Sequence, residues 1–211
     1  MRILTVAPDQ YERHRNALRQ MHRLRATVFS GRLAWDVSIT AGEERDQYDD
    51  CRPTYLLAIA ESGKVAGCVR LLPASGPTML EQTFPQLLDA GSLRPHSGMV
   101  ESSRFCVDTL LISQREASQL HLATLTLFAG IIEWSMASGY SEIVTATDLR
   151  FERILKRAGW PMQRLGEPAT IGNTIAIAGS LPADLVSFAQ VCPPGYQSFH
   201  RTDRALIRSA A

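Results

Sequence analysis

Apolar and polar residues alternate from Arg2 to Val6, the pattern of a short half-buried strand. Asp9 then offers an N-cap to a helix over residues 9–31, in which Leu18, Met21, Leu24, Val28 and Phe29 recur at helical spacing. Arg25 and Phe29, four apart, share one face of it. Periodicity is lost over residues 32–53, where charge gathers as Glu43-Glu44-Arg45-Asp46-Gln47-Tyr48-Asp49-Asp50. Loops of about twenty residues without structure are uncommon in compact domains and tend to be functional. Residues 55–61 and 65–72, joined by Ser62-Gly63-Lys64, predict a β-hairpin whose second strand carries Arg70. Residues 73–97 hold Pro, Gly and Ser around a short apolar stretch at 84–88 and read as a lid-like excursion with small helices.

Met99 to Val107 is the next strand. The long apolar, proline-free run at 116–137 predicts a largely buried helix ended by Gly139. Residues 142–147 follow as a strand. Thr147 or Asp148 caps an amphipathic helix through Ala158, ended by Gly159 and Pro161. Residues 171–178 read as a late strand and Cys192-Pro193-Pro194-Gly195 as a surface loop. No internal repeat or linker interrupts the chain, so the expectation is one domain over residues 1–211, an α/β fold with a mixed sheet sandwiched between helices.

Composition agrees with this. At 211 residues, 45% apolar and 20% charged, the chain is long enough for a sheet with helices on both faces. Lysine and arginine number 22 against 21 acids, a net charge of +1, which argues against a general nucleic-acid binder and favours a small or locally acidic partner. The N-terminal residues lack the apolar core of a signal peptide, and no run approaches the ~20 apolar residues of a membrane span, so the expected location is the cytoplasm. The four cysteines show no C-x-x-C spacing and the five histidines no His-x-x-x-His, so neither a zinc site nor a disulfide framework is signalled. A P-loop and a G-x-G-x-x-G are both absent from the sequence.

Chemistry concentrates in one strand. Glu101-Ser102-Ser103-Arg104-Phe105-Cys106-Val107-Asp108 places an acid and a base in a stretch that otherwise reads as buried. Ionised groups in a core cost several kcal/mol unless paired and hydrogen-bonded, so such a strand is expected to serve a polar cleft. Arg25, Asp46, Asp49 and Arg70 are upstream charges of the same kind. Strict alternation puts Glu101 and Ser103 on one face and Arg104 on the other; either a bulge re-aims one of them or they act on opposite sides of the sheet.

These residues form a series: Arg25-x-x-x-Phe29-x5-Trp35, Asp46-x-x-Asp49, Arg70-Leu71-Leu72-Pro73, Phe84 and Glu101-x-x-Arg104-Phe105. The series resembles the signature of the acyl-homoserine-lactone synthases, the LuxI-type autoinducer synthases, and the likeness continues through residues 144–160. Within that family the chain is similar to the branch linked to conjugal plasmid transfer in plant-associated bacteria, whose product is 3-oxo-octanoyl-homoserine lactone. The resemblance implies an α-β-α sandwich like the GNAT acyltransferases. It also implies condensation of S-adenosylmethionine with an acyl group on acyl carrier protein, with S-adenosylmethionine as a substrate and no cofactor or metal.

The resemblance also implies roles. Glu101, with Ser103 and Arg104, forms the catalytic group, and Glu101 takes a proton from the substrate amine before it attacks the thioester. Lactonisation follows when the substrate carboxylate displaces methylthioadenosine from the sulfonium, a step that mainly requires correct folding of the substrate. Asp46 and Asp49 suit a cationic substrate; Arg25, Arg70 and Arg104 hold carboxylates or brace these acids in bidentate pairs. Phe29, Trp35 and Phe84 wall the S-adenosylmethionine pocket, where an aromatic face attracts a sulfonium. Thr145 is the position at which a hydroxyl accompanies acceptance of a 3-oxo group, and Thr147 is either a second contact or a helix cap. Leu122 and Leu125 on the long helix, with Phe128 and Ile132 at the same helical spacing, are core by default and line the acyl tunnel only in part. Arg150, Arg153, Lys156 and Arg157, against Glu152, are either a solvated face or a dock for an acidic carrier protein.

Two other readings compete. A GNAT-type acyltransferase using coenzyme A would share the fold, yet Ser113-Gln114-Arg115-Glu116-Ala117-Ser118 lacks the glycines of a pyrophosphate loop. An inactive binding module would have little reason to keep six costly charges.

Overall fold

The computed structural model describes residues 1–32, 35–89, 91–109 and 117–198. In chain order the elements are β1 (Arg2–Val6), α1 (Arg15–Ala26), β2 (Ile39–Thr40), β3 (Glu43–Glu44), β4 (Thr54–Ile59), β5 (Val65–Pro73) and α2 (Met79–Gln82). They continue with β6 (Met99–Val107), α3 (Ala117–Ala137), β7 (Glu142–Asp148), α4 (Leu149–Arg157), β8 (Gln163–Arg164), β9 (Ala169–Ile171), β10 (Thr174–Pro182) and α5 (Leu185–Val191).

The main sheet runs β1-β4-β5-β6-β7-β10-β8, with β9 also on β10. Every neighbouring pair is antiparallel except β6 and β7, which α3 joins as a parallel crossover. Side-chain alternation divides the core between the two faces. Tyr55, Leu57 and Ile59 of β4 meet Leu18, Met21 and Leu24 of α1 on one side. Leu56 and Ala58 meet the α3 side chains Ala123, Leu127 and Phe128 on the other. The mostly apolar α3 suits that buried place, and Gly130 lets it approach β1: a Cβ there would meet Ile3 Cγ1 at 3.0 Å. Removing a fully enclosed side chain such as Leu127 would cost about 2–5 kcal/mol. The result is a single α-β-α sandwich with a mixed sheet, as the sequence predicts.

The local differences have physical reasons. The first helix does not start at Asp9: Pro8–Gln10 forms a 3-10 turn, and α1 begins after His14, which makes no side-chain capping bond. At its other end it widens into a π-helical turn over Thr27–Arg32, a form frequent at functional sites. The charged loop folds into a two-stranded ribbon, β2 with β3, followed by a 3-10 turn at Gln47–Asp49. The late strand is a hairpin, because Gly172 takes a φ of 55° and reverses the chain between β9 and β10. Asp148, not Thr147, caps α4, its Oδ1 accepting from Phe151 N at 2.7 Å. Helix α5, capped by Asp184, has no counterpart among the sequence expectations.

Candidate active site

The ladder between β6 and β7 contains the pairs Met99↔Glu142, Val100↔Ile143 and Glu101↔Val144. Beyond Glu101 the strands part, and a cavity of about 650 Å³ opens at the gap. Its polar end holds Glu101, Ser103 and Arg104 beside Phe29, Trp35 and Phe84. Its apolar end is closed by Phe128, Ile131, Ile143, Leu155, Trp160 and Leu181, all buried. The β9–β10 hairpin contributes Ile171 to Thr174, and Trp35 Nε1 reaches Thr174 Oγ1 at 3.4 Å. That contact ties the loop after α1 to the hairpin.

A bulge gathers the charges. Cys68 pairs with Cys106 but Arg70 with Ser103, so Arg104 and Phe105 together oppose Val69 alone. Arg104 takes a φ of 55°, a left-handed conformation that costs a non-glycine residue about 1–2 kcal/mol. The slip changes the alternation: Val100, Phe105 and Val107 pack on the α3 side while Cys106 faces the α1 cluster. Arg104 therefore joins Glu101 and Ser103 on one side, and of the two arrangements left open by alternation the bulge is the one found.

Behind the cavity lies a network of three arginines and three carboxylates. Arg25, fully buried, forks both terminal nitrogens onto Asp49 at 2.8 and 2.9 Å and turns Nε to Glu44. Arg70, equally buried, binds Asp46, Asp49 at 3.1 Å and Ser103 Oγ at 3.1 Å, with its guanidinium 5.4 Å from the Tyr48 ring. Arg104 meets Glu44 through Nε at 3.1 Å and Asp46 at 2.8 Å, over the Phe29 ring at 5.2 Å. Trp35 stacks on the same Phe29, centroids 5.2 Å apart and planes 20° from parallel. Removing one member of such a buried set strands an uncompensated charge.

The electrostatics follow. Burial alone would raise the Asp49 carboxyl, but the Arg25 hydrogen bonds and charge, with Arg70, hold it well below the ordinary range. Glu101 goes the other way: burial pushes it up, opposed by the backbone N–H groups of Leu80 and Met79, which it accepts at 2.7 and 3.0 Å. His22 is lowered, first by burial and then by Arg25, and its Nδ1 lies 2.9 Å from the Glu44 carbonyl. A neutral imidazole thus sits behind the network.

Glu101, Ser103, Arg104, Phe29, Trp35, Phe84, Thr145 and Thr147 all line the cavity. Arg25, Asp46, Asp49 and Arg70, expected either at the substrate or as a network bracing the cleft, do not; Asp46 and Asp49 are turned to arginines because three buried guanidinium groups require partners. Of the four α3 residues, Phe128 lines the cavity, together with Thr124 and Ile131, whereas Leu122, Leu125 and Ile132 lie off its wall. At 100° per residue, Leu125 and Leu122 project roughly 90° and 150° away from that stripe. Thr145 Oγ1 donates to the Ser102 carbonyl at 2.7 Å. On α4, Arg150, Arg153, Lys156 and Arg157 are exposed, while Glu152 takes Arg164 as its bidentate partner at 2.7 and 2.9 Å. Residues 113–116 of the segment expected to lack a pyrophosphate loop lie outside the described residues.

Glu44 is the main residue that sequence reasoning overlooked. It is fully buried between Arg25 and Arg104. Its signal was the two-residue alternation of β3, which sends Glu43 toward Arg19 and Arg23 at the surface and Glu44 inward.

Comparison with known proteins agrees with this geometry. Residues 9–191 match the autoinducer synthase family. The chain is 82% identical to an acyl-homoserine-lactone synthase of Agrobacterium fabrum, over 100% of both chains. It superposes on the crystal structure of the acyl-homoserine-lactone synthase LasI with a TM-score of 0.80 at 30% identity, covering 94% of this chain and 98% of that one. A coenzyme A-dependent acyl-homoserine-lactone synthase, BjaI, solved with S-adenosylmethionine and isopentyl-coenzyme A, shares the fold with a TM-score of 0.80 at 24% identity, covering 99% and 98%. The chain belongs to the autoinducer synthase family, the acyl-homoserine-lactone synthases, acyltransferases that produce a quorum-sensing signal.

Proposed function

We propose that the cavity binds S-adenosylmethionine against Phe29, Trp35 and Phe84 and a 3-oxo-octanoyl chain against Phe128, Ile131 and Trp160, joining them beside Glu101. The observation that carries this reading is the position of Glu101. It is a buried carboxylate with a raised proton affinity at the junction of an aromatic, charge-lined end and an apolar end of one cavity.

Glu101 takes the ammonium proton directly or through a water, and the freed amine attacks the thioester carbon. The carbonyl π electrons move to oxygen, then return as the carrier thiolate leaves and takes up the second proton shed by the acylated nitrogen. Amide groups on the separated edges of β6 and β7 supply donors for the transient oxyanion. In the second step the substrate carboxylate attacks its own γ-carbon, the C–S bond breaks, and methylthioadenosine departs as a neutral thioether. Enclosure by the cavity walls favours the folded conformer that this ring closure needs.

Arg25, Asp46, Asp49 and Arg70 act through position in this reading: they fix the floor beneath Ser103 and Arg104. Thr145 stands at the strand gap, where its hydroxyl can turn from the Ser102 carbonyl to the 3-oxo group. The basic face of α4 lies beside the cavity residues Phe151, Ile154 and Leu155 and suits an acidic carrier protein presenting the acyl thioester.

Purified protein given S-adenosylmethionine and 3-oxo-octanoyl carrier protein should release methylthioadenosine and 3-oxo-octanoyl-homoserine lactone, both measured by mass spectrometry. Turnover with the coenzyme A thioester but not the carrier thioester would move the donor assignment. An acylated amine without methylthioadenosine would reduce the reaction to simple acyl transfer.

A further inference from the structure

Two thiols meet beneath the bulge that sets Arg104. Cys68 on β5 and Cys106 on β6 are direct ladder partners, both buried, with sulfurs 3.4 Å apart. The Cys68 thiol also lies 3.7 Å from the Arg104 carbonyl. Cys106 lines the cavity and Cys68 does not, so a small solute in the cavity reaches Cys106 first. Facing residues of an antiparallel pair have Cα atoms about 4.5–5.5 Å apart, inside the roughly 4.4–6.8 Å span of disulfides. Bringing the sulfurs to about 2.05 Å asks for side-chain rotation and a small strand adjustment.

We propose that Cys68 and Cys106 form an oxidation site that takes a hydroperoxide through the cavity and closes to a disulfide, switching the site off reversibly. Cys106 sulfur attacks the terminal peroxide oxygen, the O–O bond breaks, and with the thiol proton the second oxygen leaves as an alcohol, or as water when the oxidant is hydrogen peroxide, giving a sulfenic acid. Cys68 sulfur then displaces the sulfenic oxygen, which leaves as water. Two thiols lose two electrons and one peroxide gains them. The disulfide withdraws the Cys68 thiol from the Arg104 carbonyl and pulls β5 and β6 together next to the bulge, so the guanidinium over Phe29 shifts. Cys51, exposed, and Cys192, half-buried, lie outside the cavity wall and take no part.

The test uses the full chain carrying Cys51→Ser and Cys192→Ser, treated with hydrogen peroxide and digested without reduction. The expected result is a loss of two hydrogen masses, a crosslinked peptide pair containing residues 68 and 106, and reversal by dithiothreitol. Wild-type protein should give the same crosslink. Adding Cys68→Ser should replace the crosslink with stepwise oxygen addition at Cys106. The activity arm rests on the reaction proposed above: turnover should fall on the order of 100-fold with crosslinking, as for a displacement of about 1 Å at an active site, and return with dithiothreitol. Two intact thiols after peroxide treatment, or a complete crosslink with unchanged turnover, would overturn the proposal. If the reduced protein makes no lactone, the proposed reaction fails separately, and the crosslink with its effect on S-adenosylmethionine affinity by calorimetry decides the switch.

Discussion

Thr145 on β7 donates its hydroxyl to the Ser102 carbonyl on β6 at 2.7 Å, immediately past the last paired residues of the two strands. It is a side-chain bridge where the backbone ladder ends, and in the proposed reading a 3-oxo group entering the gap competes for the same proton. Thr145→Val keeps the shape and removes the donor. The preference for 3-oxo over unsubstituted eight-carbon donors, as a ratio of kcat/KM, should fall by about fivefold to tenfold, the worth of one net hydrogen bond near 1 kcal/mol. Competition between the two donors with product analysis measures it, and an unchanged ratio would assign the selectivity elsewhere.

Glu101→Gln should lower kcat by about 10²–10⁴, the usual contribution of a positioned base. The amide presents its NH₂ to one of the two backbone donors now bound by the carboxylate, so stability should also fall, by about 1–3 kcal/mol. Burial raises the Glu101 pKa, and in its proposed role as base it must be ionised. The acid limb of kcat/KM should therefore lie above the ordinary glutamate value near 4.3 and vanish in the variant. For folding the sign is opposite: the contribution from the raised group is present below the unfolded pKa and lost as pH rises through the folded one.

Asp49→Asn breaks the center of the ion network. One of its oxygens serves Arg25, Arg70 and Tyr55 together, so the loss should be about 3–5 kcal/mol, read as a lowered urea midpoint. Asp49 is depressed in the folded state, so its contribution is present above the unfolded pKa near 3.9 and disappears as pH falls through the folded value. Acid unfolding of the wild type should be steeper than that of the variant below about pH 4.

Arg153→Glu with Arg157→Glu reverses charge on exposed positions of α4. The KM for carrier-bound donor should rise about tenfold at low salt, the difference should shrink as salt is added, and kcat should hold. A matching acyl-coenzyme A assay separates loss of carrier docking from loss of the catalytic site.

Much of the architecture was legible because periodicity carries it. Alternation at 2–6, the strand-like stretch at 99–107 and the apolar run of α3 set the sandwich. Glu101 and Arg104 stood out as charges where the pattern demanded apolar residues. The bulge was visible only as a conflict, since nothing in Arg104-Phe105 announces a positive φ and a glycine would have been the ordinary occupant. Glu44 was hidden in a charged run whose ribbon pairing depends on tertiary contact. On α3 only Phe128 of the cavity wall was legible, because a helix apolar around most of its circumference has little moment to orient it. The β9–β10 reversal rests on one glycine in an otherwise strand-like stretch.

The gap between β6 and β7 has a consequence for how such an enzyme diversifies. The opening is made by backbone, where two parallel strands cease to pair after Glu101 and Val144, so its existence does not depend on any one side chain around it. Under the proposed reading, substitutions at Ile131, Trp160 or Leu181 lengthen or shorten the apolar end while the proposed proton-transfer residues on the bulged strand stay in place. On that reading signal identity and reaction chemistry rest on separate sets of positions, and a lineage can change its message without rebuilding its catalyst.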